Sequence, residues 1–177
     1  MNELIKNKTS IGTLDLFNES FSSIAISLCP LLNKFSIYIV SHLKTNHANE
    51  TLFNENDTFS YYLRKEEEDA SSTYAEIIVN EDLCNNLSFT IQEMLAAIAH
   101  EIGHIIMFFR ADKDVIQSQE EFCSDNYACQ MGLATPLYSL LNKLINSGLY
   151  PEAQIKIMQK RLYFINIYIE SHDCYSK

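Results

Sequence analysis

The chain is 177 residues long and 47% hydrophobic, enough for one globular domain with its own core, which we expect to span residues 1–177. Four glycines and three prolines exclude collagen-like and linker-rich chains, and Gly12, Gly103, Gly132 and Gly148 stand too far apart to build a glycine-rich phosphate loop. Thirteen basic against twenty-three acidic residues give a formal charge of -10, so nucleic acid and anionic membranes meet a repelling surface and are not expected partners.

The first twenty residues hold Lys6 and Lys8 but no apolar run after them, and nowhere do 18 apolar residues follow one another, so neither a leader nor membrane insertion is expected. The five cysteines, Cys29, Cys84, Cys123, Cys129 and Cys174, are odd in number and widely spaced in mostly apolar sequence; they fit reduced thiols in a cytoplasmic protein. Leu14, Phe17, Phe21, Ile24 and Leu28 recur every three or four positions, predicting an amphipathic helix that ends near Pro30. Residues 31–44 read two ways: 35–40 are β-branched and aromatic, whereas Leu32, Phe35, Ile39 and Leu43 are helically spaced. Residues 45–58 read as a polar loop, and His42, in the ambiguous stretch before it, and His47 are both read as exposed. Residues 59–64 then read as a strand, 65–72 as a charged turn whose acidic run 66–69 is solvated, and 75–79 as a short strand.

Thr90-Ile-Gln-Glu93 is a capping box, so a helix should begin at Thr90 and run to about Phe109. Apolar residues surround it almost completely, which predicts burial on nearly every side, with Gly103 permitting a close approach. Further helices are expected over 117–131, stopped by Gly132, and over 136–147 and 151–171, each opened by a first-turn proline. The last contains RLYFINIYIE, a wide apolar surface read as core. The fold class is therefore α+β, mainly helical, with a small sheet preceding the 90–109 helix.

His100-Glu101-Ile102-Gly103-His104 forms H-E-x-x-H within that buried helix. Residues four apart share a face, so both imidazoles can reach one zinc ion while Glu101, about 100° away, stands beside it as a general base. Five histidines and fifteen glutamates predict roughly 0.01 such matches by chance in this composition. A zinc site that does chemistry takes three protein ligands, so a third should follow. The metzincin extension is absent, since Met107 and Arg110 stand where its glycine and third histidine would be. Downstream, Glu121 and Asp125 lie one helical turn apart. Glu121 is the candidate third ligand, with Glu120 its rival, and Asp125 is the candidate acceptor for the distal nitrogen of a ligand histidine.

The pattern IIVNEDL, EMLAAIAHEIGHII and EFCSDNYA, covering roughly residues 75–132, resembles the gluzincin metallopeptidases. It looks like the CAAX-prenyl-protease and HtpX-type peptidases, whose third ligand opens an E-x-x-x-D motif, and is similar to the small ImmA/IrrE peptidases. The resemblance implies a zincin-like fold, with His100, His104 and Glu121 as zinc ligands, Glu101 as the base and Asp125 as the motif's aspartate. Only sixteen residues separate His104 from Glu121, and Ser124 stands where the family usually has alanine. The expected activity is a zinc metallopeptidase acting on a protein or peptide substrate. Candidate oxyanion donors are His172, Tyr127, Tyr138 and Tyr150, and strand 75–79 is the candidate edge for peptide addition. The competing readings are a catalytically silent zinc-binding interaction domain that uses the first 70 residues, and a peptide deformylase, whose upstream cysteine motif Cys84 does not match.

Overall fold

The computed structural model describes residues 5–10, 24–30, 32, 35–42, 57–65, 73–110 and 117–173. Expectations for 14–23, the 45–56 loop, the 66–69 acidic run, His47 and Cys174 lie outside these; residues 24–28 are helical, in line with the end of the first predicted helix.

Strands β1 (Ile5–Asn7), β2 (Ser36–Ser41), β3 (Phe59–Lys65) and β4 (Thr73–Val79) form a mixed sheet in the order β1-β2-β4-β3. β1 and β4 each run parallel to β2, while β3 returns antiparallel along β4. The ambiguous stretch is thus β2. Its period of two buries Ile37 and Ile39 completely, level with Ala75 and Ile77 of β4, and parallel neighbours on both sides favour such apolar positions. One expectation is corrected here: β4 is paired on both sides, so 75–79 is no edge, and among the described residues β1 and β3 are the outer strands, β3 the one beside β4.

The sheet precedes the helices α1 (Glu81–Asn86), α2 (Ile91–Arg110), α3 (Gln117–Gln130), α4 (Ala134–Asn146) and α5 (Glu152–Asp173). The short α1 buries only Cys84, too little for a hydrophobic period to reveal; Asn80 caps it by accepting the Leu83 N–H at 3.0 Å. The capping box of α2 forms as read: Thr90 N–H donates to Glu93 Oε2 at 2.6 Å, and Glu93 N–H to Thr90 Oγ1 at 3.2 Å. Every residue from Glu93 to Ile106 is buried, so α2 is the spine of the core, with Phe108 emerging to 58% exposure.

Glu93 also reaches α4, accepting from Ser139 Oγ at 2.6 Å and from Lys143 Nζ at 2.7 Å. α3 stops at Gly132 (φ 81°), where Leu133 N–H bonds Ala128 O and Gly132 N–H bonds Cys129 O, the double bond of a Schellman turn. α4 begins two residues before Pro136, because the first-turn amides have no helical acceptor and a proline can sit anywhere among them. α5 splits the apolar run 161–170: Ile165 is buried, but Tyr163, Phe164 and Ile167 are exposed, a narrower core face than expected. His42 is not exposed either. Its side chain is 18% accessible and its Nε2 lies 3.7 Å from Asp82. Cys29, Cys84 and Cys129 are buried free thiols, and burial pushes Cys84 and Cys129 up to about 12.

α2 and α3 meet at Gly103, where a Cβ would lie 2.7 Å from the Ser124 Cα. Gly103→Ala is expected to lower unfolding free energy by up to about 2 kcal/mol, overpacking of ~1–3 kcal/mol set against ~1 kcal/mol of helix propensity, as read by denaturant unfolding. Burial would raise the Glu93 carboxyl, but Lys143, Ser139 and Thr90 hydrogen-bond its charged form and hold it below its ordinary 4.5. Its contribution to stability is therefore complete above the unfolded value and lost as pH falls through the folded one. Glu93→Gln should accordingly be less stable than wild type at pH 7, with the gap closing below about pH 4.5 in thermal melts.

Candidate metal centre

One turn of α2 separates His100 from His104 and leaves their Nε2 atoms 3.2 Å apart. Glu121 enters from α3, with Oε2 at 3.5 Å from His100 Nε2 and Oε1 at 3.5 Å from His104 Nε2. One atom from each of the three residues lies within 4.8 Å of the other two, the convergence a single metal ion requires. Glu120, the rival of Glu121, lines the neighbouring cleft but stands outside this group. Asp125, the next turn along α3, places Oδ1 2.8 Å from His100 Nδ1. That contact favours a proton on Nδ1. Glu101 is 9% exposed and opens on the same cleft.

Two residues of this site were not anticipated. Arg161 of α5 is 8% exposed and donates from Nε to Asp125 Oδ2 and from Nη2 to Asp125 Oδ1, both at 2.7 Å, and from Nη1 to Glu121 Oε2 at 2.6 Å. Tyr61 of β3 stacks on the His104 imidazole, with centroids 5.2 Å apart and planes 10° from parallel. Neither belongs to a local motif. The arginine did leave a trace, because Met158, Arg161, Ile165 and Tyr168 share one face of α5 that is otherwise turned to the core.

Burial and the Arg161 cation oppose charge on His100, yet hydrogen bonds to Asp125 and Glu121 outweigh them and push it up to about 9. Burial raises Glu101 above the ordinary glutamate value. Burial acts the same way on Glu121 and Asp125, but there the hydrogen bonds from histidine and the Arg161 cation prevail and hold both carboxylates well down.

A cleft of about 570 Å³ opens on the site. Phe59 to Tyr62 of β3 form one wall, and Leu137, Leu140, Leu141 and Leu144 of α4 form much of the other. Of the four candidate oxyanion donors only Tyr150 lines this cleft, beside Thr58; Tyr127, Tyr138 and His172 do not, and the exposed His172 stacks on Tyr168 at 3.9 Å near the end of α5. Among the described residues no helix is long and apolar enough to cross a membrane. No protein-family model, curated protein or solved structure matches the chain, so the site is read from its own chemistry.

Asp125 pairs at once with His100 Nδ1 and with the fork of Arg161, its Oδ1 shared between them. Asp125→Ala leaves a buried guanidinium with one partly exposed carboxylate, and is expected to lower stability by about 3–5 kcal/mol in denaturant unfolding of the metal-free chain.

Proposed function

We propose that this chain is a zinc-dependent metallopeptidase of the zincin-like, gluzincin type, acting on a protein or peptide in the cytoplasm. The observation that carries the reading is the donor set itself: two imidazole Nε2 atoms and a carboxylate converge, and a second carboxylate orients one imidazole from behind. The charge of the site fits the ion. Three carboxyl groups, Glu101, Glu121 and Asp125, face the single guanidinium of Arg161, an acidic surplus that a divalent cation offsets. His100, His104 and Glu121 would hold the zinc, and two nitrogens with one oxygen suit it.

When bound, zinc supplies Lewis acidity, polarising a carbonyl and lowering the pKa of water to about 7. Glu101, raised by burial, takes the proton from the attacking water and passes it to the departing amine. Asp125 holds the His100 proton on Nδ1 throughout. An extended peptide can lie along the outer side of β3 with its scissile bond toward Glu101, and the leucines of α4 give an apolar side chain a place across the cleft. Tyr61, stacked on His104, and Tyr150 are among the hydroxyl side chains that line the cleft and are the candidates to donate to a developing oxyanion.

Elemental analysis together with cleavage of a peptide library tests the reading. Wild type should carry stoichiometric zinc and lose cleavage to a chelator. Glu101→Gln should keep the zinc while turnover falls by about 10²–10⁴-fold. Stoichiometric zinc without chelator-sensitive cleavage of any library member would instead make the chain a zinc-binding interaction domain.

A further inference from the structure

The guanidinium of Arg161 does more than close an ion pair. Three of its N–H groups are spent on two carboxylates one turn apart on α3: a fork onto both oxygens of Asp125 and a single bond onto Oε2 of Glu121. Nη2 also lies 3.3 Å from His100 Nδ1, so the cation sits against the same Asp125 oxygen that accepts from this histidine. A planar guanidinium with fixed donor directions holds two carboxylates in one relative orientation, which an ammonium cannot do. The consequence differs for the two acids. Asp125 is buried and has little freedom, whereas the Glu121 side chain is 38% exposed and borders an open cleft. Only Oε2 of Glu121 is engaged by the arginine; Oε1 is left facing His104.

From this geometry, and resting on the metal reading above, we infer that Arg161 is a positioning residue: it fixes Glu121 for ligation through one oxygen and braces His100 through Asp125, thereby setting the affinity of the site. Two effects of the arginine oppose each other. Its charge repels a divalent cation, and its fork removes the rotational freedom that Glu121 would otherwise lose on binding one. The inference is that orientation outweighs repulsion. Charge alone therefore cannot replace it, and a lysine, carrying the repulsion without the fork, is a poor substitute.

Zinc affinity of the full chain, measured by competition with a chromophoric chelator, tests this, alongside the visible absorption of the cobalt-substituted protein and the unfolding midpoint of each metal-free variant. Arg161→Gln should bind zinc about 10- to 100-fold more weakly than wild type. Arg161→Lys should bind no better than Arg161→Gln, and both should show an altered cobalt spectrum; Arg161→Lys keeps the buried acids paired with a cation and carries the test if Arg161→Gln does not fold. Unchanged or tighter zinc binding with an unchanged spectrum in the folded variants, whatever their melting points, overturns the inference and leaves a purely structural ion pair. Wild-type protein that takes up no zinc, or takes it up equally in His100→Ala, overturns the metal reading itself.

Discussion

The separation of α2 and α3 is the constraint on which the site depends. Gly103 has no side chain where one would strike the Ser124 backbone, and Ser124 is itself small and fully buried. The two contact residues are neighbours in sequence of the residues that matter: Gly103 precedes His104, and Ser124 precedes Asp125. Helix spacing in proteins is set by the side chains at the crossing, within about 8–10 Å. A larger residue at either position would part the helices and draw Glu121 and Asp125 away from both imidazoles at once, so the hydrogen bonds of the site are a readout of this packing.

The chain keeps His100, Glu101, Asp125 and Arg161 inside, and each would cost several kcal/mol there if left alone. They persist as a connected set in which every acid but Glu101 has a short bond to histidine or arginine. Such a network adds little net stability over an apolar core. What supports it is the unbroken burial of residues 93–106, flanked by fully buried Ile37, Ile39 and Ile77 of the sheet. The apolar spine and the polar cluster thus belong to the same helix. Ser124 Oγ, which has no hydrogen-bond partner among the described residues, marks where close approach overrode polar satisfaction.

What was legible in the sequence was whatever a single helix determines. The capping box fixed the start of α2, and fixed spacing put His100 beside His104 and Glu121 in register with Asp125. Gly103 and Gly132 were readable for the same reason, as a close approach and a helix stop. Pairings between elements were not readable. Nothing local tells that β3 rather than β4 takes the outer position, since both are short and rich in strand formers. β2 could be distinguished from a helix only by its partners on either side. Arg161 and Tyr61 reach the site from 36 and more positions away, and only the charge interrupting the core face of α5 hinted at the first.

That division between near and distant has a consequence for the order of assembly. His100, His104 and Glu121 meet as soon as two successive helices dock, whereas Arg161 is 61 positions from His100, and the cleft waits for β3 and α5, which flank these two helices in the sequence. Contacts between distant residues close later than local ones. On the function proposed above, the nascent chain could capture its metal before it has any groove to hold a substrate. A partly folded copy would carry zinc yet be unable to cut its neighbours.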